Sequence, residues 1–230
     1  MSPDVVLANV AAYDSWARTY PPVPHNALMR AEQRAMLALW PDVDGASALD
    51  LACGTGRYAR VLEERGAALV VATDLSPGML DHSHVQRRVR ADMMQLPFAD
   101  ASFDVVVSGL AVGHAPHLEA WMREVARVLR PGGVLVYSDF HTKAARAGMT
   151  RSFTDDQDRK HTLLHCNYDL PAHRAATAAA GLRLDAMREV RVGDELREAF
   201  SGSDVFYDRW AGLPVVLVLR ARKADSDADR

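Results

Sequence analysis

The chain has 230 residues, 49% hydrophobic and 25% charged, a globular composition with enough apolar material for one large domain. A formal net charge of -3 and a sequence pI near 6.3 argue against nucleic acid or an anionic membrane as partner. Two cysteines, Cys53 and Cys166, with no CxxC spacing argue against a disulfide framework and a zinc site.

The N-terminus MSPDVVLANVAAYD lacks the basic start and apolar run of a signal peptide. No window approaches the ~18 uninterrupted apolar residues of a membrane span, so a soluble, cytoplasmic protein is expected. Two helical patterns, roughly 5–20 and 25–40, are split by PPVP and form an N-terminal helical cap over residues 1–45. From residue 46, apolar runs at 47–52, 68–74, 87–92, 103–109 and 133–139 read as strands. Their centres are continuous rather than alternating, as expected for strands covered on both faces. Helical patterns lie between them; that of 117–130 places Leu118, Trp121, Val125, Val128 and Leu129 on one face and stops at Pro131-Gly132-Gly133. The segment 140–170 is polar and hard to phase, and reads as an insertion on the substrate side. A helix over 171–182, a strand over 183–193 and a last strand over 212–223, with Pro214 at its beginning, complete the pattern. The prediction is an α/β, Rossmann-like doubly wound sheet of seven strands, mostly parallel with an antiparallel last strand and helices on both faces. It spans 46–223, and 224–230 is a charged tail expected to fray.

GTGRYA at 54–59 matches the G-x-G-x-x-A turn that joins a strand to a helix around a nucleotide-like ligand. Alone, it could be only a tight turn. Asp50, on the strand before it, aims a carboxylate at whatever the turn cradles, which repels a pyrophosphate and favours an ammonium or sulfonium ligand. Asp74 ends the second strand 18 residues beyond Gly56, where a carboxylate reaches ribose hydroxyls, although it could instead cap the helix starting near Ser76. Asp92 ends the third strand and is followed by Met93, whose apolar contact suits a purine face. Three successive strand ends thus deliver acids to one edge of the sheet.

In order and spacing, LDLACGTGRYA, VVATDLSPGML, ADMMQLPFADASFDVVVSGLAVGH and EVARVLRPGGVLVYSD resemble the motifs of class I S-adenosylmethionine-dependent methyltransferases. The nearest flavour is the ubiquinone/menaquinone-biosynthesis and small-molecule group. The resemblance implies S-adenosylmethionine as cofactor and S-adenosylhomocysteine as product. It implies Asp50 near the methionine ammonium, with Ala52, Cys53, Gly54 and Gly56 in the turn around the methionine. It further implies Asp74 on the ribose, Leu75 and Met79 against adenine, Asp92 and Met93 at its edge, and Gly109 and Leu110 beside the methyl-transfer channel.

For the acceptor, His114 and His141 follow the fourth and fifth strands and are the candidate general bases and substrate contacts, each alternatively a helix cap or pocket wall. His161 and His165 would share a helical face if 158–167 is helical; a third ligand is lacking, so no metal is expected, and His165 is kept as a substrate contact. His82, His84 and His173 read as surface residues on helices, and His117 as exposed. Tyr13, Trp16 and Tyr20 lie at i, i+3 and i+7, packing on the core or, as in similar methyltransferases, folding over the site with Tyr13 on the cofactor and Tyr20 on the substrate. The expected activity is methyl transfer to a small molecule, most simply at oxygen in a secondary metabolite, by a His base or by proximity. C- or N-methylation of a quinone-like acceptor, a non-catalytic cofactor-binding scaffold, and a nucleotide-dependent oxidoreductase are the alternatives. No nucleic acid or membrane partner is expected, and the state is monomer or homodimer.

Overall fold

The computed structural model describes residues 3–155, 157–193, 195–197 and 204–225. Two helices, α1 (Pro3–Trp16) and α2 (Ala27–Leu37), precede the first strand. The parallel strands are β1 (Ser47–Leu51), β2 (Leu69–Asp74), β3 (Arg88–Arg90), β4 (Phe103–Ser108) and β5 (Leu129–Phe140). Between them lie α3 (Arg57–Glu64), α4 (Pro77–Asp81), a 3-10 turn at Val112–His114 and α5 (Leu118–Val128). Beyond β5 come α6 (Thr142–Arg146), the hairpin of β6 (Ser152–Thr154) and β7 (Lys160–Thr162), α7 (Leu170–Ala179), β8 (Leu182–Arg191), α8 (Asp204–Trp210) and β9 (Pro214–Lys223).

The seven-stranded sheet runs β3-β2-β1-β4-β5-β9-β8. The last strand of the chain is antiparallel, as the sequence predicts; it sits one place in from the edge, between β5 and β8. Pro214 opens β9, where a missing N–H disturbs the ladder least. Both faces are covered. Met36, Leu39, Trp40, Tyr58 and Leu62 pack with Ala48, Val70, Val105 and Val136 on one side, while Trp121, Met122, Val125 and Leu129 pack with Leu49, Leu51, Val106 and Leu135 on the other. This two-sided burial is why the strand centres read as unbroken apolar runs. The strand order reverses between β1 and β4, the place where open α/β sheets leave a crevice at their carboxyl ends. Among the described residues no helix is long and apolar enough to cross a membrane.

Three expectations are corrected. The segment around 158–167 is not helical: β7 occupies 160–162, so His161 and His165 share no helix face. The first helix stops at Trp16, leaving Tyr20 in the turn that follows. His173 is fully buried rather than a surface residue, because α7 packs it against β5, where it meets the Tyr137 hydroxyl at 3.1 Å and Asp139 at 3.4 Å. His82, His84 and His117 are exposed. Residues 226–230 of the predicted tail lie outside the described residues.

Candidate active site

The glycine turn is built from left-handed backbone. Ala52, Gly54 and Gly56 have φ of 56°, 57° and 88°, values that L side chains adopt only at a cost. The strand-end acids hold this turn in place. Asp74 accepts from the Gly54 amide at 2.8 Å and from the Ser76 amide at 2.9 Å, and Asp50 accepts from the Ala59 amide in the first turn of α3 at 2.8 Å. Asp74 is therefore not the cap of α4; the Ser76 hydroxyl is, accepting from the Met79 amide. Gly56 lies outside the cavity wall. A Cβ there would stand 2.7 Å from Ser83 Oγ and 2.8 Å from Val85 Cγ2, so close packing requires a glycine here.

A cavity of about 320 Å³ opens over the strand ends. Asp50 of β1, Asp74 at the end of β2 and Asp92, which lies two residues beyond β3 rather than ending it, line it, as do Ala52, Cys53 and Gly54 of the turn. Leu75, Met79 and Met93 supply an apolar wall beside Asp74 and Asp92, and Gly109 and Leu110 close the end of β4. Burial pushes the Asp50 carboxyl up to about 7, against the opposing pull of the Ala59 amide and the Arg57 charge. Burial raises Asp74 as well, with the Ser76 and Gly54 amides opposing it. Carboxyls buried in this way gain most from a cationic ligand. An S-adenosylmethionine molecule, with its ammonium and sulfonium, ribose hydroxyls and flat adenine, fits this donor set; a pyrophosphate does not.

A further part of the wall comes from α1, the turn after it and the segment after β5. Tyr13, Trp16 and Tyr20 all face the cavity. Trp16 stacks on Phe153 of β6 at 4.2 Å between centroids and meets Tyr20 edge-on at 4.6 Å. His114 lines the cavity between Asn9, 3.1 Å from Nδ1, and the Tyr13 hydroxyl, 3.0 Å from Nε2. The Asn9 amide is oriented by Leu164, whose N–H it accepts and to whose carbonyl it donates, so its NH2 donates to His114 Nδ1. Nε2 is shared between the Tyr13 hydroxyl and the Arg151 guanidinium, a group that can only donate. Burial, with the charge of Arg151 and then His165, pushes His114 down to about 3. So weak a base is mismatched to taking a hydroxyl proton.

The other two candidate histidines lie outside the cavity wall. His141 caps α6: Nδ1 accepts from the Lys143 amide and Nε2 faces Glu189 at 3.2 Å. His165 packs edge-on against Phe140 at 5.3 Å, with Nδ1 toward the Leu163 carbonyl.

Several wall-building residues carry no motif. Asp14 accepts from the Gly78 amide and the Ser76 hydroxyl, clasping α1 to α4. Glu32, fully buried on α2, accepts from Arg57 at 2.9 Å and from the Ser138 hydroxyl at 2.6 Å. Ser138 Oγ accepts in turn from the amide of Leu110, whose φ is 55°. Arg151 donates to the Leu110 carbonyl at 2.8 Å and stands 3.3 Å from His114 Nε2. Asp14 sits inside the aromatic YDSWARTY segment, a signal that could have found it; Glu32 and Arg151 have none.

A methyltransferase domain family matches residues 49–137. The malonyl-[acyl-carrier protein] O-methyltransferase of Serratia marcescens is 34% identical over 169 residues, covering 72% of this chain and 64% of that protein. The demethylmenaquinone methyltransferase of Corynebacterium urealyticum is 42% identical over 118 residues, covering 50% of this chain and 49% of that protein. The chain thus spans about half to two thirds of the length of these relatives. A solved S-adenosylmethionine-dependent methyltransferase from Mesorhizobium loti superposes with a TM-score of 0.68 at 25% identity, covering 84% of this chain and 98% of that one. Residues 49–137 are thus a methyltransferase domain, and the chain has the fold and the switch-point cavity of the class I S-adenosylmethionine-dependent methyltransferases it resembles.

Proposed function

We propose that the protein methylates a small molecule at oxygen, with residues 3–45 acting as a cap over cofactor and acceptor. The observation that carries this reading is the lining of the cavity: buried acids of β1 and β2, receptive to a cation, share it with Tyr13, Tyr20, His114 and Arg151. When bound, S-adenosylmethionine supplies a methyl group activated by its sulfonium. Asp50 and Asp74 orient that ligand by charge and hydrogen bonding, and the stacked Trp16 and Phe153 exclude water. The acceptor is held by the α1 side, so that rate comes from near-attack geometry. The relative that acts on oxygen, the malonyl-[acyl-carrier protein] O-methyltransferase, supports oxygen as the acceptor atom. The likeness to a demethylmenaquinone methyltransferase favours a quinone-like acceptor as the second reading.

The test is transfer of tritium from methyl-labelled S-adenosylmethionine into a small-molecule extract. Label should enter the extract with the wild type and be lost with Asp74→Ala. A wild type that binds the cofactor by calorimetry yet labels nothing is a binding protein, and the enzymatic reading falls.

A further inference from the structure

Two arginines line the cavity, and they differ in partnership. Arg57 is neutralised by Glu32 in a buried ion pair. Arg151 donates to a backbone carbonyl and touches a neutral histidine; no carboxylate among the described residues pairs with it. A guanidinium in a wall that includes Leu28, Phe140, Leu163 and Trp16 presents a planar fork of donors to whatever enters.

The Tyr13 hydroxyl stands beside that fork. It lies 3.0 Å from His114 Nε2 and lines the cavity, where its proton can be donated to an anion. Burial raises its pKa, with the Arg151 charge opposing that and the Asp74 charge adding to it. The acceptor side therefore offers donors and a positive charge. It offers no base: His114 is held far below neutrality and burial pushes Tyr20 up to about 12.

We propose, resting on the methyltransferase reading above, that the acceptor is a carboxylic acid, gripped as its carboxylate by Arg151 and the Tyr13 hydroxyl. A carboxylate oxygen forms the new O–CH3 bond as the S–CH3 bond breaks, and the electron pair of that bond stays on sulfur. Anion and sulfonium become neutral methyl ester and neutral thioether. No proton has to leave, so the lack of a base is no obstacle, whereas a hydroxyl acceptor needs one. Tyr13 and Arg151 act by holding the anion, with Arg151 also keeping Leu110 in place through its carbonyl.

Two measurements test this together. The first is calorimetric binding to protein loaded with S-adenosylhomocysteine, using aliphatic acids, diacids and diacid half-thioesters as probes, each beside its amide. Acids should bind and amides should not. Arg151→Met should weaken acid binding about tenfold or more while leaving the S-adenosylhomocysteine constant unchanged, and Arg151→Lys should restore part of the loss. The second is the chemistry of the label transferred to the extract. Mild alkali should release it as volatile methanol, as from a methyl ester. Alkali-stable label, as in an ether, a methylamine or a C-methyl group, overturns the carboxylate proposal and leaves methyl transfer standing. Equal binding of acids to wild type and Arg151→Met overturns it too. No label at all, with cofactor bound, removes the methyltransferase reading and this proposal with it.

Discussion

Asp50 makes cofactor binding a proton-linked event. Its carboxyl is 1% exposed and titrates at about 7 instead of the usual 3.8, burial being the main cause. At pH 7 roughly half of the empty protein therefore carries this proton. A cofactor ammonium beside Asp50 favours the carboxylate, so binding should expel about half a proton at pH 7, about nine-tenths at pH 6 and about a tenth at pH 8. The assay is titration calorimetry of S-adenosylhomocysteine in buffers of different ionisation enthalpy, where the slope of heat against that enthalpy counts the protons. Asp50→Asn keeps an oxygen for the Ala59 amide and loses the charge. It should abolish the released half-proton and weaken binding by about 3 kcal/mol, roughly a hundredfold. Stability carries the same signature. The folded pKa lies above the unfolded one, so between pH 4 and 7 the folded chain binds more protons and stability falls as pH rises. About three units at ~1.4 kcal/mol each amount to about 4 kcal/mol lost above pH 7 in the empty protein. The wild-type Tm should drop over this window more steeply than that of Asp50→Asn. A buffer-independent binding heat at pH 7, or the same proton count in both proteins, refutes the reasoning.

Gly56→Ala should cost about 2–4 kcal/mol in urea unfolding, from its φ of 88° and the contacts under 3 Å with Ser83 and Val85; Gly148→Ala, at φ 94° with nothing nearby, should cost only about 1 kcal/mol. Glu32→Gln leaves the buried Arg57 without its counter-charge and should lower stability by about 3 kcal/mol in the same measurement. His141→Ala removes a helix cap and should cost about 1 kcal/mol with kcat unchanged; a fall in kcat of about a hundredfold would return His141 to the reaction. Tyr13→Ala should raise the cofactor dissociation constant; an unchanged constant in calorimetry, with the fold intact by circular dichroism, would remove the cap from cofactor binding.

What was legible in the sequence was local. Asp50, Asp74 and Asp92 stand at the ends of apolar runs, and a strand fixes where its end points, so their convergence on one cavity follows from the alternation of elements. The two glycines show the limit. Spacing marks both as special, yet only the packed structure tells that Gly54 lines the cavity while Gly56 presses on Ser83 and Val85. Histidines were the weakest reading, because a histidine's work is set by distant partners: His141 by Glu189, and His173 by Tyr137 and Asp139. His173 was hidden further by its helix, whose run of alanines gives the buried face little contrast with the exposed one. Arg151 lies in the segment without periodicity and finds Leu110 41 residues away, a contact no spacing announces.

In the proposed reading the two ends of the cavity carry opposite character, and different parts of the chain supply them. The cofactor end is made by strand ends, whose positions the sheet fixes, and its acids are expensive to ionise while empty. The acceptor end is made by α1 and the chain after β5, joined through Trp16 on Phe153 and Phe153 on His161. Its polar groups are linked by contacts that run from Leu164 through Asn9 and His114 to Tyr13. A cation bound at the first end and an anion at the second lower each other's desolvation cost in a wall of low polarity, and their reaction removes both charges. Asp14 ties α1 to the start of α4 on the cofactor side, so the helix that presents the acceptor is also anchored where the cofactor binds. Placement of the acceptor relative to the methyl group thus depends on one helix held at Asn9 and Asp14, and substrate choice can change along the chain after β5 without disturbing the acids that hold the donor.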